Sequence, residues 1–208
     1  MNILLVGIQG SGKGTLARKL VEKFGYNFFE MGQKLRNFAE LAEPESVEVR
    51  TLLASGSLVG PELVERILLH YRANHSGALI LFDGIPRTPA QKNLFDRVFP
   101  EYIVLYLDLS RETAIERLAG RRIDAATGES FPASFEGDFS PFTGHKLVHR
   151  EDDNEAAVTK RIDTFYANTL PLLALWAGEG KRVYTIDASQ SIDDVAKQAE
   201  VVVGAYTL

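Results

Sequence analysis

Residues 2–15, Asn2-Ile3-Leu4-Leu5-Val6-Gly7-Ile8-Gln9-Gly10-Ser11-Gly12-Lys13-Gly14-Thr15, decide the reading of the fold. Residues 2–6 read as a buried strand that runs directly into a loop fitting G-x4-G-K, from Gly7 to Lys13. Leu16, Leu20 and Phe24 then recur at helical spacing. Strand, glycine turn and helix in this order make a phosphate cradle. The glycines let backbone N–H groups close around an anion, the helix N-terminus adds positive potential, and Lys13 supplies a mobile cation. Gly14 stands where most such loops carry Ser or Thr, and Thr15 follows it.

The same alternation continues along the chain. Residues 78–82 read as a strand followed by Asp83-Gly84, residues 102–107 as a strand closed by Asp108, and residues 182–186 as a strand closed by Asp187. Ser110 is expected to cap a helix running to about residue 119, and residues 192–203 form a C-terminal helix. Strands alternating with helices predict an α/β fold, a parallel sheet with helices on both faces. Two stretches break the rhythm. Residues 30–57 carry helical signal with no strand, and residues 120–150 are loop-like, rich in Gly, Pro, Ser and Phe. Inserts of this size in a compact chain are usually functional or disordered. Asp152 and Asp153 are expected to cap a helix with Val158, Ile162 and Phe165 on its core face, broken or kinked at Pro171.

The 208 residues suffice for one sizeable core with small inserted parts. A formal net charge of −5 argues against a nucleic-acid-binding surface, so an anionic ligand must be met by locally gathered Arg and Lys. With no cysteine, disulfides and Cys-ligated zinc are excluded. His70, His75, His145 and His149 lack metal-ligand spacing. The N-terminus has no basic leader, and the apolar run at residues 170–177 is far shorter than the roughly 18 residues of a membrane span, so the expected location is the cytoplasm, with no membrane partner.

Several segments together resemble the adenylate kinase family. They are the Gly12-Lys13-Gly14-Thr15 variant of the loop; Gly56-Ser57-Leu58-Val59; Phe82-Asp83-Gly84-Ile85-Pro86-Arg87-Thr88 with Gln91; Arg117-Leu118-Ala119-Gly120-Arg121-Arg122; and Arg150-Glu151-Asp152-Asp153 with Arg161 downstream. They fall in the family's order and span nearly the whole chain. The resemblance implies a P-loop core (1–29, 58–119 and 154–208), a nucleoside-monophosphate-binding insert (30–57) and a lid of the long type (120–153). With no Cys, the lid is expected to be free of zinc and held by polar and aromatic contacts.

The resemblance also implies roles. Gly10, Ser11, Gly12, Lys13, Gly14 and Thr15 would hold the ATP phosphates, with Arg117, Ser130, Phe131 and the Gln190 region at the ATP base. Arg36 and Arg87 would bind the acceptor's phosphate. Met31, Ser57, Leu58, Val59, Gly84, Ile85, Pro86 and Gln91 would line the rest of the acceptor site, Gln91 reading the base. Arg121, Arg150 and Arg161 would close over the transferring group. Asp83 would orient Mg²⁺ carried in with ATP, with Thr15 nearby and no direct metal ligand on the protein. Arg122 is expected to be structural. An arginine acting on a transferring phosphoryl group is worth about 10³–10⁵ in rate, whereas a surface ion pair is worth about 0–1 kcal/mol. The chain departs from the family at Gln9, where Pro is usual, at Leu16, where Gln is common, and at Glu30-Met31-Gly32-Gln33, where S-T-G-D is usual. Met31 cannot donate a hydrogen bond to a base, though it can pack on one. The leading expectation is an ATP:AMP phosphotransferase acting as a monomer. A UMP, CMP or GMP kinase and a nucleotide-binding regulator without turnover are the alternatives.

Overall fold

The computed structural model describes residues 1–41, 44–149 and 154–206. Strand β1 (Asn2–Gly7) buries Ile3, Leu4, Leu5 and Val6 in succession. Neighbouring strand residues point to opposite faces, so a run of four buried side chains means that both faces are covered. β1 is the middle strand of a five-stranded sheet in the order β2 (Asn27–Glu30), β3 (Ile80–Asp83), β1, β4 (Tyr102–Asp108), β8 (Val183–Asp187), and every pairing is parallel. The chain leaves β1 to one side through β2 and β3 and to the other through β4 and β8. Beyond the carboxyl ends of such strands, where the order reverses, α/β proteins place their ligands.

Helix α1 (Lys13–Phe24) buries Leu16, Ala17 and Leu20, the apolar stripe expected from the sequence. Ser110 caps α6 (Arg111–Ala119) by accepting a hydrogen bond from the Thr113 N–H, and Ser191 caps α9 (Ile192–Gly204) through Asp194. Between β2 and β3 lie α2 (Met31–Ala39), α3 (Pro44–Ala54) and α4 (Pro61–Asn74). Thr88 caps α5 (Pro89–Val98), which leads to β4.

Three expectations change. Residues 30–57 do not start in helix: Glu30 closes strand β2, whose Phe28 and Phe29 pack into the core. Residues 120–150 are not purely loop. Strands β5 (Arg122–Asp124), β6 (Ser130–Phe131) and β7 (Leu147–Val148) form a separate antiparallel sheet in the order β6-β5-β7. The capping residue of α7 (Glu155–Thr164) is Asn154, not Asp152 or Asp153, which lie outside the described residues; Asn154 Oδ1 accepts from the Ala157 N–H at 2.9 Å. Val158, Ile162 and Phe165 are buried as expected. The helix is interrupted at Pro171 as expected: α7 runs into a π-turn (Phe165–Thr169), Leu170 and Pro171 form a turn, and α8 (Leu172–Gly178) follows.

The small sheet is organised around an acid. Asp124 is fully buried, and its carboxylate accepts hydrogen bonds from Thr143 Oγ1 and, at 2.9 Å, from the Ala126 N–H, with His145 Nδ1 at 3.7 Å. The Thr143 hydroxyl chiefly, with the Ala126 N–H and the Ser140 hydroxyl, holds its pKa down at about 2. Arg122 ties the same segment together, donating to the carbonyls of Phe135 (2.7 Å) and Gly137 (2.9 Å) and to Asp138 (3.0 Å), as its structural reading requires. At the amino ends of the main strands, Lys92 is 1% exposed and meets Asp96 at 2.8 Å and Glu179; Asp96 also receives the Tyr102 hydroxyl, which in turn accepts from Trp176 Nε1 at 2.8 Å.

Candidate functional site

One cavity of about 770 Å³ lies over the carboxyl ends of the strands. All the site residues assigned from sequence line it, except Arg150, which lies outside the described residues. Among the described residues, seven cations (Lys13, Arg18, Arg36, Arg87, Arg117, Arg121 and Arg161) face it against three carboxylates, Glu30, Asp83 and Glu129. In a chain of net charge −5, such a local excess is a built anion site.

The loop after β1 forms one wall. Gly10 and Gly12 adopt φ of +91° and +88°, the left-handed region in which glycine is unstrained. Lys13 Nζ folds back onto the carbonyls of Gly7 (2.8 Å) and Ile8 (3.0 Å). Burial pushes its pKa down, and Asp83 partly restores it. Asp83 ends β3. Burial raises its pKa against the opposing pull of Lys13, and among the described residues its Oδ1 has no hydrogen-bond partner. Arg87 and Arg121 lie close enough to act on the charge of Lys13.

The segment after β3 presents Arg87. Its Nε donates to the Gly84 carbonyl and its N–H to Gln91 Oε1, both at 2.9 Å. Gln91, expected to read a base, therefore already has its carbonyl oxygen in use. Arg36 rises from α2, with Nη2 donating to Glu30 Oε1 at 3.0 Å and to Gln33 Oε1 at 2.9 Å. Arg161 comes from α7 and donates through Nη2 to the Leu53 carbonyl at 3.0 Å. Around these, Met31, Leu35, Leu53, Val59 and Val64 form an apolar pocket.

At the other end, Arg117 from α6 donates to the carbonyls of Ala188 (2.9 Å) and Ser189 (3.4 Å), beside Gln190. Ser130 and Phe131 arrive from the small sheet, with Phe131 packed on Phe135 at a ring distance of 4.8 Å. An ion pair of 3.1 Å between Arg18 on α1 and Glu129 joins the small sheet to the core.

Sequence reading missed Glu30 as the partner of Arg36, the Arg18–Glu129 pair and the cavity-lining Thr169. Glu30 had a signal, since it departs from the usual residue. The other two are long-range pairings that no local pattern announces.

The parallel sheet, the glycine loop after its first strand and the converging cations define a P-loop, phosphate-handling α/β protein. A family model described as adenylate kinase matches residues 5–181. The chain is 31% identical to an adenylate kinase of Novosphingobium aromaticivorans, covering 99% of this chain and 100% of that one. It is 32% identical to an adenylate kinase of Natronomonas pharaonis (93% and 92%) and 30% identical to one of Bacillus velezensis (100% of both). The chain belongs to the adenylate kinase family and is an enzyme of the nucleoside monophosphate kinase type.

Proposed function

We propose that the enzyme reversibly transfers the γ-phosphoryl group of ATP to AMP, giving two ADP. The convergence of seven cations on one cavity carries this reading, with a glycine loop at one end and an apolar pocket at the other. Gly10–Thr15 hold the donor phosphates, and Lys13 exchanges its loop carbonyls for phosphate oxygens. Arg117 and the Gln190 backbone flank the donor base, with Ser130 and Phe131 above it. Arg36 and Arg87 grip the acceptor phosphate. The acceptor oxygen attacks the γ-phosphorus in line, the bond to the β–γ bridging oxygen breaks, and Arg121, Arg150 and Arg161 stabilise the charge spread over the transferring oxygens. Planar guanidinium forks suit this because they bind phosphate oxygens in pairs and stay charged.

Mg²⁺, which enters with ATP in this family, would be oriented through its waters by Asp83, whose buried Oδ1 has no hydrogen-bond partner among the described residues, with Thr15 on the same cavity wall. When bound, it neutralises charge on the β- and γ-phosphates. Residues 30–57 act as the acceptor insert and residues 120–153 as a lid that excludes water. The lid's Asp124–Thr143–Ser140 cluster does the structural work of a metal, so the enzyme needs no zinc. It works as a cytoplasmic monomer.

A second acceptor class remains in view on one observation. Met31 is buried on the acceptor wall, and Gln91 Oε1 is already taken by the Arg87 N–H, so the base is read mainly by shape and by donors of the Gln91 amide. Incubation with Mg·ATP and each of AMP, GMP, CMP and UMP, following diphosphate formation, tests this. Fastest turnover with AMP is expected. A preference for GMP or a pyrimidine nucleotide moves the acceptor, and no turnover with any of the four overturns the proposal.

A further inference from the structure

We propose that Thr169 is a positioning residue for Arg87, set at the cavity wall by the π-turn, and that it acts on the acceptor side of transfer; this rests on the reading of Arg87 as an acceptor-phosphate ligand. A threonine inside an α-helix usually turns its hydroxyl back onto the carbonyl four residues earlier. For Thr169 that carbonyl belongs to Phe165, and it already receives the Leu170 N–H at 2.8 Å in the five-residue spacing of a π-turn. Pro171, next in line, has no N–H with which to restore α-helical spacing. The Thr169 hydroxyl reaches instead across 82 residues of sequence to the Arg87 carbonyl, at 3.0 Å. The contact is partly buried, with Thr169 only 7% exposed, and both residues line the cavity. Isolated π-turns within α-helices often sit at functional sites.

Arg87 is thereby clamped at both backbone groups by side chains from different elements. Gln91 on α5 takes its N–H and Thr169 on the π-turn holds its carbonyl. The guanidinium is steadied in turn by the Gly84 carbonyl. Removing the hydroxyl leaves a carbonyl without its buried donor and lets the Arg87 backbone drift. The guanidinium is then no longer held at the distance that in-line transfer demands.

Steady-state kinetics on Thr169→Val, Thr169→Ala, Thr169→Ser, Arg87→Ala and the double variant Thr169→Val/Arg87→Ala test this, with thermal unfolding of each. In Thr169→Val and Thr169→Ala, kcat/KM for the acceptor should fall about five- to tenfold, the size of one lost hydrogen bond, while the KM for ATP stays within about twofold. Thr169→Ser should restore acceptor kcat/KM to within about twofold of wild type, because only the hydroxyl matters. In the Arg87→Ala background, Thr169→Val should add nothing. The proposal is overturned if both hydroxyl-free variants match wild type, if they weaken ATP and acceptor alike as general destabilisation would, or if their effect adds fully to Arg87→Ala. An Arg87→Ala enzyme with unchanged acceptor kinetics would bring down the reading of Arg87 itself. A collapse in Arg87→Ala beside a silent Thr169→Val would sink the Thr169 proposal alone.

Discussion

Replacing Gly10 by alanine is expected to damage the donor side in a way that can be worked out from the packing of the loop. A Cβ at Gly10 would stand 2.8 Å from the Ala114 carbonyl oxygen and 3.2 Å from Leu118 Cγ, both on α6. The nearer atom is backbone and cannot swing aside. The residue also holds φ at +91°, a conformation costing a side-chain-bearing residue about 1–2 kcal/mol. Overpacking against a fixed helix adds about 1–3 kcal/mol, for a total of about 2–5 kcal/mol. For a chain of this length each kcal/mol moves Tm by about 2–4 °C, so Tm should drop by about 4–20 °C. If the loop relieves the clash by shifting, its N–H groups leave the positions that meet phosphate. A displacement of about 1 Å can cost about 10²-fold in rate, so the KM for ATP should rise and kcat fall while acceptor binding is spared. Gly14→Ala is the control. Its Cβ would meet no heavy atom within 4 Å and it sits in the first turn of α1, so it should melt at or slightly above wild type. Differential scanning calorimetry and ATP titrations decide the matter. A Gly10→Ala enzyme that melts within a degree of wild type with an unchanged KM for ATP would refute the account of how the loop is seated.

The remaining expectations concern the charges, the small sheet and the far end of the main sheet. Arg87→Ala, Arg121→Ala and Arg161→Ala should each lower kcat by about 10³-fold or more while moving Tm by no more than about 2–4 °C, and single-turnover rates beside melting curves would show it. Asp124 has its pKa depressed to about 2, below the about 3.9 of an unfolded aspartate, so its stabilisation is present above about pH 4 and is lost as pH falls towards 2. Hydrogen exchange in residues 122–148 should therefore quicken across that window, ahead of the main sheet. Deleting residues 123–149 should raise the ratio of ATP hydrolysis to transfer by admitting water, and an unchanged ratio would show that the segment is no lid. Lys92→Met should cost about 1–3 kcal/mol in urea unfolding, because it removes the buried cation between Asp96 and Glu179, with kcat unaltered.

The central strands and the phosphate loop were legible because their signals are local. Residues 2–6 form an unbroken apolar run, the glycines follow at fixed offsets, and Ser110 and Ser191 sit at helix starts. β2 escaped because only Phe28 and Phe29 carry its pattern, and its place is set by pairing with β3 rather than by its own residues. β5, β6 and β7 are two or three residues long, too short for any periodicity, and are stabilised by Asp124 contacts that close across about twenty positions. Lys13, Arg87, Arg117, Arg121 and Arg161 were legible as candidates because each stands in a motif, whereas Arg18, which stands in none, was not. The hydrogen-bond partners of the site cations were not legible. The Arg36–Glu30, Arg161–Leu53 and Arg87–Thr169 contacts depend on how separate elements fold against each other. The π-turn has no composition of its own and emerges only where Pro171 withholds an N–H.

The network at the amino ends of the strands gives the molecule a built-in optical probe. Trp176 is the chain's single tryptophan, fully buried, with its indole N–H engaged by Tyr102 at the first residue of β4. Trp176 stands on α8, seven residues and about 10 Å of helical rise from the cavity-lining Thr169. Indole emission from this protein is therefore expected to report core integrity, and any response to nucleotide would have to travel along the helical segment that joins Thr169 to Trp176.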